Sequence, residues 1–301
     1  MPRLLRKIVR TMLYFALFLL ISGWATLEFA SPYAIIVPPS GHKYPIPHFQ
    51  AQTFEAFELQ TFDHLRIKGY YRATEQGRPK AVIIFVHGIG GKKEHFMGSA
   101  EMLAREGFAG LVFDGRAHGK SEGKYCTYGF KEKRDIQALV KWIQKREPGS
   151  KIGIWGNSLG GAIALQALAI EPGLSFGIVQ STFTDLEQIV FDYQNRMFRG
   201  FGSRYLSDKA LRKAGVIADF DPQQVKPLAA AARIQQAVLV AHGDQDANIS
   251  VEYGKSIYQA LLSPQKELVI VPGADHFDLF DKGGARLNQR FIDFLKKQCR
   301  L

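Results

Sequence analysis

The sequence predicts an α/β fold with a mostly parallel central sheet and helices on both faces. From residue 54 onward, strand-like and helix-like runs alternate, and this alternation is typical of βαβ connections. Several strand-like runs are apolar throughout, as expected for parallel strands that are covered on both faces. The chain has 301 residues, of which 46% are hydrophobic and 22% are charged, so it can form one large domain.

Before the folded part, the N-terminal segment combines a basic flank with an apolar stretch. Residues 11–27 carry no charge, and a stretch of this length is just long enough to cross a bilayer as a helix. We predict an uncleaved membrane anchor over residues 1–30. A cleaved signal peptide is the alternative, although Glu28 lies where a peptidase acting after Ala30 prefers a small residue. A buried helix of the folded domain is a third interpretation.

The residues around the anchor predict how it is oriented and connected. Four basic residues precede the apolar stretch, so we expect a single-pass protein with a cytoplasmic N-terminus and its folded domain across the membrane. Cleavage would instead give a secreted protein. Residues 31–53 are rich in proline, which predicts a stiff, extended linker before a domain over residues 54–301. The prolines of this linker are Pro32, Pro38, Pro39, Pro45 and Pro47.

The domain opens with a predicted antiparallel pair of strands, residues 54–59 and 65–71. Residues 81–86 are apolar and rich in β-branched side chains, which predicts a buried strand. A helix is predicted over residues 94–106, where a glycine ends it, and a further strand over residues 109–113.

The rest of the chain repeats this alternation. Residues 131–146 place Ile136, Leu139, Val140 and Ile143 on one face of a predicted helix. The other predicted elements are strands at 151–155, 176–180, 237–241 and 267–271, and helices at 162–170, 252–262 and 285–299.

A long interval between two predicted strands interrupts the alternation. Residues 182–236 exceed the length of an ordinary crossover, so we predict an inserted, mainly helical cap. A longer crossover helix with irregular flanks is the alternative. An aromatic-rich insertion after a strand end is well placed to line a substrate pocket. Its large apolar residues include Phe183, Phe191, Tyr193, Met197, Phe198, Phe201 and Tyr205.

The most informative motif is Gly156–Gly161, with the sequence Gly-Asn-Ser-Leu-Gly-Gly. It lies between a predicted strand and a predicted helix, and it places Ser158 at the apex of the turn. The Gly-x-Ser-x-Gly pattern in this context is that of a nucleophile elbow. The glycines are needed because a side chain at either flanking position would collide with the adjoining strand and helix. A glycine-rich loop with an incidental serine is the simpler interpretation.

A serine nucleophile needs a general base, and we choose His276. This histidine follows the last predicted strand and precedes the last helix, which fits the chain order serine, acid, histidine. His87 and His242 each precede a glycine at a strand end, and we expect them to shape loops. His118 lies in a turn after another strand.

The base needs an orienting acid, and we choose Asp246, in the loop after the strand 237–241. Asp244 lies in the same loop, where we expect it to stabilise the turn. Asp275 adjoins the histidine, and adjacent side chains face each other poorly. Asp185 is a lower-ranked alternative.

The backbone N–H groups of Ile89 and Leu159 are the predicted oxyanion-hole donors. Leu159 opens the helix after the serine, and Ile89 lies in the glycine-rich loop after the strand 81–86. A phosphate-binding loop is the alternative for that glycine-rich stretch. It is disfavoured because no Gly-Lys-Ser/Thr sequence follows.

Charge and cysteine content exclude some classes of function. The net charge is +11, yet we find no long basic run and no basic patch interleaved with aromatic residues, so nucleic acid is not expected as a partner. A basic domain near anionic lipid and a mildly basic soluble surface remain equal interpretations. Cys126 and Cys299 cannot form a disulfide framework, and we expect neither to be catalytic.

Together these motifs resemble the α/β-hydrolase superfamily, and within it the serine aminopeptidase-like and BEM46-like groups. The resemblance covers about residues 54–299 and not the N-terminal anchor. One departure is Ala117, where relatives commonly carry glycine. The motifs that carry the resemblance are His87–Gly91, Asp114–Ser121, Gly156–Gly161, His242–Asp246 and Gly273–His276.

The resemblance implies an α/β-hydrolase fold with Ser158 as nucleophile, Asp246 as acid and His276 as base. It implies hydrolysis of an ester, thioester or amide through an acyl-enzyme, with an esterase or lipase-like activity first and a serine peptidase second. No metal or organic cofactor is expected, and the expected partner is a small-molecule or lipid-like acyl substrate. The serine disfavours the dehalogenase and epoxide-hydrolase chemistries, which use aspartate there. A non-catalytic binding protein on the same fold is a further alternative.

Overall fold

The computed structural model describes residues 3–39 and 53–299. It contains an eight-stranded sheet that confirms the predicted α/β fold. The strands are β1 (Glu55–Gln60), β2 (Arg66–Arg72), β3 (Ala81–Val86), β4 (Ala109–Phe113), β5 (Lys151–Asn157), β6 (Phe176–Gln180), β7 (Ala237–Gly243) and β8 (Glu267–Val271). The helices are α1 (Arg3–Ala25), α2 (Ser31–Ile36), α3 (Met97–Arg105), α4 (Glu132–Arg146), α5 (Leu159–Leu168), α6 (Leu186–Met197), α7 (Arg204–Ala218), α8 (Pro227–Ala231), α9 (Val251–Ala260) and α10 (Leu279–Cys299).

The sheet has the order β1-β2-β4-β3-β5-β6-β7-β8. The opening strands β1 and β2 pair antiparallel, and β2 pairs antiparallel with β4, whereas every pairing from β4 to β8 is parallel. The carboxyl ends of the parallel strands therefore meet at one edge, where the loops that carry the candidate site also lie.

Helices cover both faces of the sheet, as its apolar strands require. Every residue of β3, β4, β6 and β7 is buried. On one face, Ile136 and Ile163 belong to a hydrophobic cluster with side chains of α4, α5 and α9. On the other face, Leu103 and Phe291 belong to a second cluster with side chains of α3 and α10. The two layers explain why these strands are apolar throughout.

Three predicted helices differ from the structure at their starts, and the one predicted over residues 162–170 begins at Leu159. A 3₁₀ turn over Lys93–Phe96 precedes α3, so the predicted helix over residues 94–106 has two parts. The last helix begins at Leu279 rather than at residue 285. It is interrupted at Gly284, whose φ of 53° is accessible to glycine without strain, so the part after this kink coincides with the predicted helix.

The insertion between β6 and β7 is helical, as predicted. It contains α6, α7, α8 and a 3₁₀ turn at Pro222–Gln224. Its apolar side chains form a third hydrophobic cluster that includes Phe183, Leu211 and Val225. We call residues 182–236 the cap.

The N-terminal segment is a long exposed helix that ends against the cap. No residue of α1 is buried, so the third interpretation, a buried helix of the domain, is wrong. A π-helical turn over Thr26–Ala30 joins α1 to α2. Residues 3–36 are long and apolar enough to cross a membrane, a criterion that a signal sequence also meets.

The prediction of an extended linker is wrong for residues 31–36, which form the helix α2. Pro32 is compatible with this helix because it lies in the first turn, where a missing N–H costs no hydrogen bond. Ile36 is fully buried in the cap cluster, and its carbonyl accepts a hydrogen bond from the Cys126 N–H. Pro45, Pro47 and the rest of residues 40–52 lie outside the described residues.

Candidate active site

Ser158 lies in a strained turn between β5 and α5. Its φ of 54° and ψ of −118° are unusual for a residue with a side chain, and such strain is characteristic of functional turns. The adjoining backbone is too close for side chains: a Cβ on Gly156 would overlap the Gly160 carbonyl, and a Cβ on Gly160 would overlap the Val86 carbonyl. The two glycines allow the turn that raises the serine at the sheet edge.

The structure brings Ser158, His276 and Asp246 together in one hydrogen-bonded chain. The serine Oγ lies 3.1 Å from His276 Nε2, and His276 Nδ1 lies 2.7 Å from Asp246 Oδ2. Because the carboxylate can only accept, Nδ1 carries the proton, and Nε2 is left to accept the serine hydroxyl. All three residues are buried. This is the geometry that a serine nucleophile with a histidine base requires.

The surroundings of Asp246 keep its carboxylate charged. Burial alone would raise the pKa of Asp246, but hydrogen bonds from His242 and His276 outweigh it and hold the pKa well below its usual range. The other carboxylate oxygen accepts the N–H groups of Asn248 at 2.9 Å and Ile249 at 2.8 Å. The aspartate is thus fixed as an anion that can orient the His276 ring and stabilise its protonated form.

The loop after β3 runs directly beside the serine. A Cβ on Gly88 would lie 3.3 Å from the Ser158 Cβ, so this position admits the loop only as glycine without displacing a neighbour. Ile89 follows in the same loop. Leu159 is the first residue of α5, where a backbone N–H has no partner within the helix. Leu159 therefore adjoins Ser158 in the chain, and Ile89 is the residue after the glycine that approaches the serine.

The three rival histidines all hold loops. His87 Nε2 accepts the Gly115 N–H at 2.9 Å, and its Nδ1–H donates to the Gly88 carbonyl at 2.8 Å. Burial, with the neighbouring His118, lowers the pKa of His87 to about 3, so the ring stays neutral and keeps this pattern. His118 donates to the Arg116 carbonyl. His242 donates to the Ile249 carbonyl and lies 3.4 Å from Asp246, so it supports the acid.

The rival acids are likewise engaged in turns. Asp244 accepts the Gly273 N–H at 2.7 Å and so ties the loop after β7 to the loop after β8. Asp275 accepts the N–H groups of Phe277 and Asp278, which lower its pKa. Asp185 caps α6 by accepting the Gln188 N–H at 2.9 Å.

Two supporting interactions escaped the sequence reasoning. Thr182 Oγ1 donates to the Ser158 carbonyl at 2.8 Å and so steadies the elbow from β6. Lys93 forms a buried ion pair with Asp114, with Nζ 2.6 Å from Oδ2. The sequence does point to a structural role for Asp114 in this ion pair, because Asp114 is the first residue of the motif Asp114–Ser121.

That same turn explains the departure at Ala117. Its φ is +62°, in the left-handed region where glycine is unstrained. A residue with a side chain costs roughly 1–2 kcal/mol in this conformation. The alanine therefore strains the turn without contacting the Ser158, His276 and Asp246 chain.

Within residues 3–39 and 53–299, no group of three or more His, Cys, Asp or Glu side chains could hold a metal ion. Both cysteines are free, and burial raises the pKa of the Cys126 thiol well above its usual value. Neither belongs to the cluster around the serine.

Comparison with known proteins identifies the family. A family model described as "Serine aminopeptidase, S33" matches residues 77–212, which include the elbow and the loop after β3. The human protein ABHD12B is 28% identical over 245 residues, which cover 76% of this chain and 64% of that protein. The chain is a member of the α/β-hydrolase superfamily. An uncharacterised 31.7 kDa protein of Escherichia coli is 26% identical to this hydrolase over 268 residues, or 74% of this chain and 93% of that protein.

A solved structure supports the same assignment. The esterase Pf2001 of Pyrococcus furiosus superposes on this hydrolase with a TM-score of 0.70 and 25% sequence identity, over 87% of this chain and 98% of the esterase. The fold predicted from the motifs, an α/β-hydrolase fold, is thereby confirmed.

Proposed function

We propose that this α/β hydrolase is a serine hydrolase that cleaves carboxylic esters through an acyl-enzyme. The observation that carries the proposal is the continuous hydrogen-bonded chain from the Ser158 hydroxyl through His276 to the Asp246 carboxylate. In such a chain the histidine accepts the serine proton as the oxygen attacks a carbonyl carbon.

The first half-reaction forms the acyl-enzyme. Ser158 Oγ bonds to the ester carbon while its proton passes to His276 Nε2, and the carbonyl oxygen becomes an oxyanion. The N–H groups of Ile89 and Leu159 stabilise this oxyanion. The tetrahedral intermediate then collapses, the carbon–oxygen bond to the leaving alcohol breaks, and His276 returns the proton to that alcohol.

The second half-reaction restores the enzyme with water. His276 takes a proton from a water molecule as its oxygen attacks the acyl carbon, and a second oxyanion forms in the same place. Collapse releases the carboxylic acid and returns the proton to Ser158 Oγ. Asp246 stays ionised throughout and stabilises the imidazolium that forms in each half-reaction.

Two observations favour an ester as the bond that is cleaved. The similar solved structure from Pyrococcus furiosus is called an esterase. The cap follows β6 and is rich in aromatic and aliphatic residues, a composition that suits an acyl chain. A serine peptidase is the second candidate, because the matching family model is described as a serine aminopeptidase. Chromogenic esters of graded acyl length, assayed beside aminopeptidase substrates, distinguish the two.

We further propose that α1 anchors the hydrolase in a membrane, with the N-terminus cytoplasmic and the folded domain on the opposite side. No residue of α1 is buried, and basic residues lie in its first turns, before the apolar stretch.

The nucleophile is tested with Ser158→Ala. If Ser158, His276 and Asp246 act as a unit, we expect turnover of an ester substrate to fall by about 10⁶-fold. A fluorophosphonate probe is expected to label the wild-type hydrolase and not the variant. Ser175→Ala, an exposed serine before β6, is the matched control and should keep both labelling and turnover. A folded wild-type chain that resists the probe would favour a non-catalytic binding protein.

A further inference from the structure

The outer face of α7 combines aromatic, aliphatic and basic side chains. Tyr205 is 68% exposed and Val216 is 83% exposed. The intervening residues Lys209, Arg212 and Lys213 share this face, because the spacings follow the helical repeat. The opposite face is buried against the rest of the cap. A solvent-facing side that combines aromatic and basic side chains suits the membrane interface, where rings meet the acyl-chain boundary and cations meet anionic headgroups.

The helix α1 leaves the protein from this same face. Glu28 lies in the turn that follows α1, and its Oε1 forms an ion pair with Lys213. Its Oε2 lies 3.5 Å from Lys209 Nζ. The Lys213 ammonium also lies 5.1 Å from the ring centre of Phe29. The apolar end of α1 is therefore fixed next to the exposed side of α7.

The loop between α6 and α7 extends this surface. Met197 is 77% exposed, Phe198 54% and Phe201 89%. Between Tyr193 and Ser207 the chain carries three arginines and no acidic residue. This stretch is a short basic patch interleaved with aromatic residues, contrary to the expectation that the chain has none.

The exposed apolar side chains of the domain concentrate at this place. Of the eleven large hydrophobic residues exposed in residues 53–299, seven lie between Tyr193 and Val216. Soluble surfaces rarely carry such a concentration unless it contacts another molecule or a membrane.

We propose that this surface, Met197–Phe201 together with the outer face of α7, docks on the anionic phospholipid leaflet from which α1 emerges. The proposal goes beyond the hydrolase activity and rests on α1 crossing the bilayer. Tyr205 lies one helical turn, about 6 Å, from Lys209, so the loop is within reach of the headgroup layer once Glu28 lies at the membrane surface. The exposed Arg199 and Arg212 pair with lipid phosphates, while the aromatic rings enter the boundary of the acyl chains.

The docked surface adjoins the candidate active site. The Arg196 guanidinium, at the end of α6, donates to the carbonyls of Ala247 and Asn248. These residues directly follow Asp246. Docking would therefore bring the loop that carries the acid close to the lipid surface.

The test measures depth in the bilayer at three positions of the full-length chain. Leu20→Cys, Phe201→Cys and Leu262→Cys, each in a Cys299→Ser background, carry a fluorophore in phosphatidylglycerol vesicles that contain quencher-bearing lipid. Leu20 reports on α1, and Leu262, which is 61% exposed beyond α9 at the opposite edge of the sheet, is the matched control. We expect quenching at residues 20 and 201 and none at residue 262.

Other outcomes overturn the proposal in distinguishable ways. Quenching at residue 20 without quenching at residue 201 would leave the anchor in place and refute the docking surface. No quenching at residue 20 would refute the anchor as well. Energy transfer between labels at residue 201 that rises with the protein-to-lipid ratio, without lipid quenching, would assign the surface to a second copy of the chain. The hydrolase activity enters none of these measurements.

Discussion

At the scale of single residues, the serine turn shows how strain and geometry are combined. Ser158 has a positive φ, and its surroundings are closely packed. Gly88 and Gly160 leave no room for side chains next to the turn, and Thr182 Oγ1 donates a hydrogen bond to the Ser158 carbonyl. These contacts fix the direction of the hydroxyl before any substrate arrives. A hydrolytic serine gains from this because a fixed nucleophile avoids the entropic cost of orientation.

The role of Asp246 is open to a direct prediction. Asp246→Asn keeps the size of the side chain but removes the charge that fixes Nδ1 as the protonated nitrogen of His276. We expect kcat for an ester to fall by about 10⁴-fold, with the fold intact, because the wrong tautomer faces the serine. Steady-state kinetics with a chromogenic ester, beside circular dichroism, measure both.

Asp244→Asn is the matched control for this prediction. Asp244 lies in the same loop and accepts a backbone N–H, yet it does not contact His276. We expect it to retain wild-type kcat. A fully active Asp246→Asn variant would remove Asp246 from the proposed mechanism.

The candidate site residues that follow strand ends could be predicted from the sequence. A residue that supports the site by a hydrogen bond from a neighbouring strand end could not. Ser158, Asp246 and His276 each follow a strand with an unmistakable apolar pattern, and a parallel sheet brings such positions to one edge. Thr182 supports the elbow through a hydrogen bond between the ends of two strands, which depends on how far each strand extends. No local pattern encodes that distance.

At the scale of elements, α2 changes the boundary of the folded part. The prolines that accumulate after residue 31 predict an extended linker. Pro32 is compatible with the first turn of a helix, however, and residues 31–36 form α2. The strands were predicted more reliably, since apolar runs of five or six residues buried on both faces have few alternative placements.

We predict that Ile36 contributes to the stability of the cap. Ile36→Ala removes a fully buried side chain from the cluster that contains Phe183 and Leu211. We expect the free energy of unfolding to fall by about 2–5 kcal/mol, because the cavity would lose packing contacts as well as burial. Chemical denaturation of the detergent-solubilised protein measures the change.

Val37→Ala is the matched control for Ile36→Ala. Val37 is the next residue and is 44% exposed, so its truncation should change the free energy of unfolding by less than about 0.5 kcal/mol. Equal effects of the two substitutions would show that α2 does not pack on the cap as described.

At the scale of the whole molecule, the basic residues in the first turns of α1 predict the side of the membrane that carries the site. Protease added to inverted vesicles, whose outer surface is the cytoplasmic one, should leave the domain over residues 54–301 intact. Detergent should then make it accessible, which controls for intrinsic resistance. Digestion of the domain before detergent is added would place it in the cytoplasm and refute the proposed orientation.

The arrangement of the sheet and helix layers could be predicted from the sequence. The contact between the N-terminal segment and the cap could not. Alternating apolar strands and amphipathic helices admit few folds, so the parallel sheet with two covered faces was predictable. The ion pair from Glu28 to α7 joins residues far apart in the chain. A glutamate at the end of an apolar stretch marks the end of a helix in the sequence, and only the folded cap shows which cations it meets.

The attachment of α2 has a practical consequence for producing the hydrolase in water. A chain that starts at residue 53 would lack Ile36, and the cap cluster would be exposed to solvent. A chain that starts at Thr26 would lack the apolar helix α1. It would keep the ion pairs of Glu28 with Lys209 and Lys213, and the packing of Ile36 in the cap cluster. The apolar helix α1 is thus separable from residues 26–36, which pack on the cap.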